Sequence, residues 1–230
     1  AMKRYVLIFA VLTLAVCVAV AAFNYRVDPY GIYHFEDANE QTLSRIDQFY
    51  HLRLIKPWLV VQASPTAVIA GTSRSATVRP QHGTWPKSSS YNLFIPGQTI
   101  YEMLRFIEHA QAVGPLEKLM IGLDFEALIQ PEPQFKAGFE ESRLARDARD
   151  LASPKYFWRR LSDVRETLFS LDGLALSLAA FTGSSKATHR YFKDGAWEST
   201  HSLVGQGAYI YFGRDNVLDL RTQQLDLQAN

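Results

Sequence analysis

Nineteen consecutive residues, Tyr5 to Phe23, carry no charged side chain. At ~1.5 Å of rise per helical residue such a run reaches across a bilayer. The basic pair Lys3-Arg4 in front of it keeps that end cytoplasmic and exports everything from Asn24 onward. The pattern therefore predicts a single-pass inner-membrane anchor, N-terminus in, that places the main domain in the periplasm or outside the cell. The run exceeds the ~7–15 apolar residues of a cleaved leader, which weighs against cutting after Ala19-Val20-Ala21. Leu14-Ala15-Val16-Cys17 matches a lipoprotein box poorly, because Val16 is bulky and the apolar run continues past the cysteine.

Beyond the span the patterning alternates between helical and strand-like. Asn24 to Tyr33 is aromatic and broken by Asp28-Pro29 and Gly31, which predicts an interfacial neck over residues 24–41. From Thr42 to Val61 the positions Leu43, Ile46, Phe49, Tyr50, Leu54, Trp58 and Leu59 follow helical spacing. Thr66 to Ala70 is a short apolar strand, and Tyr91 to Ile95 is a second. Ile100, Met103, Leu104, Ile107 and Ala110 mark a helix over 99–113, closed by Gly114-Pro115, and Lys118 to Phe125 reads as a third strand. Strands separated by helices of this length predict a parallel sheet between helical layers, an α/β/α sandwich in one exported domain over 42–230. After Glu126 the signal weakens. Glu140 to Asp150 reads as a solvated helix, Lys155 to Leu171 as a helix, Asp172 to Phe181 as a short apolar helix, and Ala208 to Phe212 as the last apolar run.

Composition narrows the functional classes. The net charge is +1, which gives no support for a nucleic-acid partner. Cys17, the sole cysteine, lies in the span, so the exported part has no intrachain disulfide or thiolate metal site. No His-x-x-x-His or comparable ligand spacing occurs, and no metal or organic cofactor is expected.

The candidate chemistry begins at Gly71-Thr72-Ser73-Arg74-Ser75. A buried strand that ends in a tight turn delivers its last side chains to the sheet rim, where open α/β folds place reactive groups. That makes Ser73 the candidate nucleophile. The same residues also fit a turn that merely leaves the strand and caps the next segment. Two further turns come in order, Pro96-Gly97-Gln98 after the second strand and Gly122-Leu123-Asp124 in the third.

With these three turns the chain resembles the SGNH, or GDSL-like, hydrolase superfamily, above all its membrane-anchored bacterial branches related to acyl transfer on exported polysaccharides. The resemblance covers residues 24–125. It implies a sandwich of about five parallel strands with Ser73 as nucleophile and Gly97 as an oxyanion donor beside the serine's own amide. Asn92, within Tyr91-Asn92-Leu93, is similar to a pairing in anchored members and reads as a pocket residue or a strand-end stabiliser. Two departures stand out. The family's Gly-x-Asn is Gly122-Leu123-Asp124 here, and an ionised carboxylate repels an oxyanion. Asp124 then either acts protonated, orients Arg74, or holds the loop. The family's late Asp-x-x-His is missing after Ser73, although a serine hydroxyl needs a positioned base. His189 and His201 read as surface-loop residues, His82 is out of order and His109 is helical.

Two interpretations stay open. The chain is an N-terminal portion whose continuation supplies the base, or it is whole and has lost the catalytic apparatus. The expected function is an esterase or O-acyltransferase acting on envelope carbohydrate from an acyl donor. The alternative is an inactive relative serving glycan binding or assembly of a polysaccharide or secretion complex, with Trp85, Trp158 and Trp197 available for sugar stacking. In either case the bilayer is a partner through residues 5–23.

Overall fold

The structure, a computed structural model, describes residues 2–37, 51–79, 85, 89–125, 136–184 and 189–199. The expected helix over 42–50, the Ala208 to Phe212 run, His82 and His201 lie outside the described residues.

The apolar N-terminal run forms one helix, α1 (Met2–Val27), with a mean hydropathy of 3.0 over its most apolar window. It is long and apolar enough to cross a membrane, as an anchor or as a signal sequence. The residues after it do more than form a neck. Tyr30, Ile32 and Phe35 are buried in the main core. Asp28, at φ 49°, accepts the backbone N–H groups of Ile32, Tyr33 and His34 and thereby fixes the turn that carries the chain inward.

Helix α2 (Leu52–Ala63) leads into strand β1 (Ala67–Gly71). All five β1 residues are buried, as an uninterrupted apolar run in a parallel sheet requires. Strand β2 (Ser90–Asn92) flanks β1 on one side and β3 (Lys118–Gly122) on the other, both parallel to it. The order is β2-β1-β3. Leu93 to Ile95 remain buried, and Leu93 and Ile95 still donate to Ile69 and Gly71. Regular strand geometry nevertheless stops at Asn92, whose Oδ1 accepts the Phe94 N–H at 2.9 Å. Among the described residues β3 is an edge strand, and Leu119, Met120 and Ile121 are 42, 43 and 48 % exposed. Its apolar residues are thus uncovered on both faces. Among the described residues this small parallel sheet stands where a fuller sandwich was expected.

Helix α3 (Ile100–Val113) joins β2 to β3 and packs on β1 and α2. Thr99 accepts the Glu102 N–H, the start of a capping box, while the Glu102 carboxylate turns inward to Arg53 of α2 at 2.8 Å. Met103, Phe106, Ile107 and Ala110 form its buried face. His109 on the same face ties three segments together. Its Nε2–H donates to the Pro57 carbonyl at 3.0 Å, and its Nδ1 accepts the Ala145 N–H at 3.1 Å. Acceptance at Nδ1 requires the neutral ring, and burial lowers the imidazole's pKa to about 4.

That shift has a defined sign. Between about pH 4 and the unfolded value near 6.5, the unfolded chain binds the proton that the folded one refuses. The stabilisation is complete above pH 6.5 and is lost as pH falls towards 4, by about 3 kcal/mol in all. Urea unfolding of the detergent-solubilised chain should show this slope. His109→Gln should flatten it.

The segment 140–150 departs from the solvated helix expected there. It forms a single 3-10 turn, Glu141–Arg143, and one short helix, α4 (Ala148–Leu151), capped by Asp147. The cause is Arg143, which is 4 % exposed and reaches Asp163 and Glu166, each at 3.0 Å, on helix α5 (Pro154–Leu168). Its charge is satisfied inside the protein, and Leu144 and Ala145 are buried with it. Ser153 caps α5, and Pro154 occupies its first turn. Helix α6 (Leu171–Thr182) comes next, capped by Ser170 and ended by Gly183 at φ 66°.

The antiparallel pair β4 (His189–Tyr191) and β5 (Trp197–Ser199) was not anticipated. Asp194-Gly195 between aromatic residues is an ordinary hairpin signal. Gly195 has φ 80°, and a Cβ there would lie 2.5 Å from the Asn92 carbonyl. Lys56 secures this hairpin from beneath. Its ammonium donates to the Asn92 and Gly195 carbonyls at 2.7 and 2.6 Å and lies 4.5 Å from the Phe94 ring centre. Burial lowers its pKa to about 7, against the opposing pull of Asp194.

Candidate functional site

Because all three strands are parallel, their C-terminal ends meet at one edge of the sheet. Gly71 and Gly122 stand opposite each other in the β1–β3 register. The reason is Ser75, whose side chain fills the gap between them. A Cβ on Gly71 would overlap Ser75 Oγ and approach Ser75 Cβ to 2.7 Å, and a Cβ on Gly122 would overlap the same hydroxyl. The two glycines therefore seat Ser75, and the 3-10 turn Ser73–Ser75 then turns Ser73 outward. Ser73 is exposed, and its hydroxyl has no hydrogen-bond partner among the described residues. Gly71→Ala should disturb this edge before it disturbs the core. The expected cost is about 1–3 kcal/mol for overpacking, with faster amide exchange at residues 72–76. Unchanged exchange there would contradict the role given to Ser75.

Asp124, 19 % exposed, faces the same turn. It accepts a hydrogen bond from Thr72 Oγ1, and its Oδ1 lies 3.0 Å from Arg74 Nη1. Of the three roles open to Asp124, these contacts match an ionised carboxylate that orients Arg74 and ties the end of β3 to the turn after β1. Arg74 itself is 65 % exposed.

Asn92 is fully buried, and its amide group is committed. Nδ2 donates to the Ser75 and Val78 carbonyls at 2.7 and 2.8 Å, while Oδ1 accepts from Phe94. It holds the serine-bearing turn from behind and points no hydrogen at solvent beside Ser73. Gly97 is exposed at φ 62°, a conformation that favours glycine. Its turn is drawn to β1 by Gln98, whose Nε2 donates to the Gly71 carbonyl, and by Ile95 N–H on the same oxygen. Ser73, Gly97, Arg74 and Asp124 thus share the C-terminal edge, with Asn92 beneath it.

No imidazole hydrogen-bonds Ser73 among the described residues. His109 is held by Pro57 and Ala145, His34 lies 3.6 Å from Asp28, and His51 lies 3.7 Å from Asp172. His189 lies in strand β4, where a surface loop was expected. Its ring centre is 3.5 Å from that of Trp197. Trp197 in turn stacks on Phe94 at 5.4 Å and belongs to the packing, whereas Trp158 is 64 % exposed on α5. A cavity of about 350 Å³ lies away from this edge, among Arg105, Glu141, Arg146, Asp150, Lys155 and Tyr156. Its charges answer one another, with Arg146 and Arg105 at 2.7 and 3.3 Å from Glu141.

Comparison with protein-family models, curated proteins and solved structures finds no match to this chain. The functional reading accordingly stands on the geometry of the sheet edge.

Proposed function

We propose that the chain is an exported, membrane-anchored domain of SGNH-like type that presents Ser73 for acyl transfer to or from envelope carbohydrate. The observation that carries this reading is the outward-facing Ser73 at the C-terminal end of the central parallel strand, on a turn braced by Ser75 between two glycines. Among the described residues neither Ser73 nor Gly97 donates its backbone N–H to a backbone carbonyl, and in this reading the two amides serve as the oxyanion donors. In this reading Ser73 Oγ attacks the acyl carbonyl and its proton passes to a base outside the described residues, which returns it to the carbohydrate oxygen as the acyl–oxygen bond breaks and an acyl-serine remains. Hydrolysis and transfer to a second hydroxyl differ only in the final acceptor. Helix α1 is retained as an anchor, N-terminus in, and holds the domain at the outer face of the inner membrane.

A second reading is supported by Asp124. An ion-paired carboxylate where the family places an amide suits a fold kept for glycan binding or for assembly of a polysaccharide or secretion complex. The two readings separate in cells that lack the gene. If the catalytic reading holds, the native gene restores the O-acyl content of the envelope carbohydrate and the Ser73→Ala gene does not. Full restoration by Ser73→Ala would favour the binding role.

A further inference from the structure

Apart from Asp172 in its first turn, which lies 3.7 Å from His51, helix α6 is apolar and poorly covered. Leu171, Leu178 and Phe181 are 83, 48 and 75 % exposed, and Phe169 just ahead of it is 50 % exposed. Contiguous apolar surface of this kind marks an interaction site. Its buried residues are the small Gly173 and Ser177, one turn apart.

The neighbour on that inward side is the outer end of α1. A Cβ on Gly173 would lie 3.4 Å from Asn24 Nδ2, and the same amide donates to the Leu168 carbonyl at 2.8 Å. The rings of Phe23 and Phe181 meet edge to face at 5.9 Å. Helix α6 therefore lies against the last exported turn of α1, at the residues where the apolar span ends. Twelve residues give about 18 Å of helix, too short to cross a bilayer but suited to lying in its interface. Both ends are finished, by Ser170 accepting the Gly173 N–H and by Gly183 donating to Ala180. Such a helix needs no continuation to satisfy its backbone.

We propose that α6 lies in the outer interfacial layer of the bilayer, with Leu171, Leu178 and Phe181 among the acyl chains beside α1. The inference rests on α1 being a retained span, and lipid is chosen as the occupant because the exposed face continues from that span. The exported domain is then held against the membrane at two places. Asn24, Tyr30 and Ile32 tie α1 to the core, so the Ser73 edge sits at a fixed height above the lipid.

The test uses the full chain in vesicles of phosphatidylethanolamine and phosphatidylglycerol. An environment-sensitive fluorophore on the native Cys17 reports whether α1 spans. In a Cys17→Ala background the same fluorophore on Leu178→Cys or Phe181→Cys reports α6, and Glu117→Cys is the aqueous control. Nitroxide lipids labelled near the headgroup should reduce the 178 and 181 signals at least roughly twofold, as expected of interfacial insertion, while aqueous iodide should have little effect. Glu117→Cys should behave in the opposite way. Iodide quenching at 178 and 181 equal to that at 117, with Cys17 still quenched by lipid, would overturn the inference and leave the anchor intact. Protection from both quenchers would mark a protein partner and overturn it equally. A Cys17 probe unaffected by lipid would remove the anchor itself.

Discussion

Asp163→Ala should lower the stability of the folded chain by about 3–5 kcal/mol, the usual cost of removing one partner from a buried ion pair. Asp163 is fully buried on α5. Its Oδ1 accepts from Arg143 Nε at 3.0 Å and lies 3.2 Å from Arg159 Nη2, while Oδ2 accepts from Trp58 Nε1 at 3.3 Å. Alanine leaves the Arg143 guanidinium, 4 % exposed, with only the half-exposed Glu140 and Glu166 to answer it. Asp163 is the buried member of the ion pairs that join segment 140–146 to α5, and Arg143–Glu166 and Arg159–Glu140, at 3.0 and 2.6 Å, are the more exposed ones. Adding Arg143→Met to Asp163→Ala should recover part of the loss, because an apolar pair avoids the stranded charge. Chemical unfolding followed by circular dichroism, in detergent, measures both. A loss below about 1 kcal/mol for the single variant would mean that the network is solvated.

The second large effect is on turnover. The purified 230-residue chain should hydrolyse a short-chain aryl ester poorly even with Ser73 correctly placed. No described residue is placed as a base for Ser73, and a serine that lacks one forfeits about 10²–10⁴-fold in rate. The ion-paired Asp124 adds a further deficit, since one missing oxyanion donor costs ~2.7–4 kcal/mol. The assay compares the chain with Ser73→Ala and with Asp124→Asn. Asp124→Asn should not restore rapid turnover, because it supplies no acceptor for the Ser73 proton and none stands among the described residues. Brisk hydrolysis that vanishes in Ser73→Ala would place a base among the residues not described, and His201 would be the first to replace.

Sheet and helix patterns were legible where one physical signal dominated. The uninterrupted apolar run at 67–70 had to be a doubly covered strand, and the helical spacing of Ile100, Met103, Leu104, Ile107 and Ala110 marked α3. The segment at 140–150 misled because its charges suggested solvent, and only Asp163, distant in sequence, shows where Arg143 goes. The hairpin was missed although Asp194-Gly195 lay in plain view, since β4 and β5 are three residues each and too short to show alternation. At the site, the pairing of strand-end glycines was visible as Gly71 and Gly122. Their shared purpose was not, because it depends on Ser75 folding back between two strands. Asn92 was noticed for its setting, but a buried amide that braces a turn and one that faces a substrate share a single residue type. The exposed apolar face of α6 was hidden for a similar reason. A short apolar helix does not reveal which face is covered, and here the small Gly173 and Ser177 are its inward side.

The proposed nucleophile is Ser73, at the end of the central strand. Exposing native membranes that contain the protein to a fluorophosphonate, and mapping the adduct by peptide mass, tests this role. A covalent phosphonyl group should appear on the peptide carrying Ser73 and be absent from Ser73→Ala and from heat-denatured membranes. An intact Ser73 peptide in membranes where other serine hydrolases are labelled would contradict it.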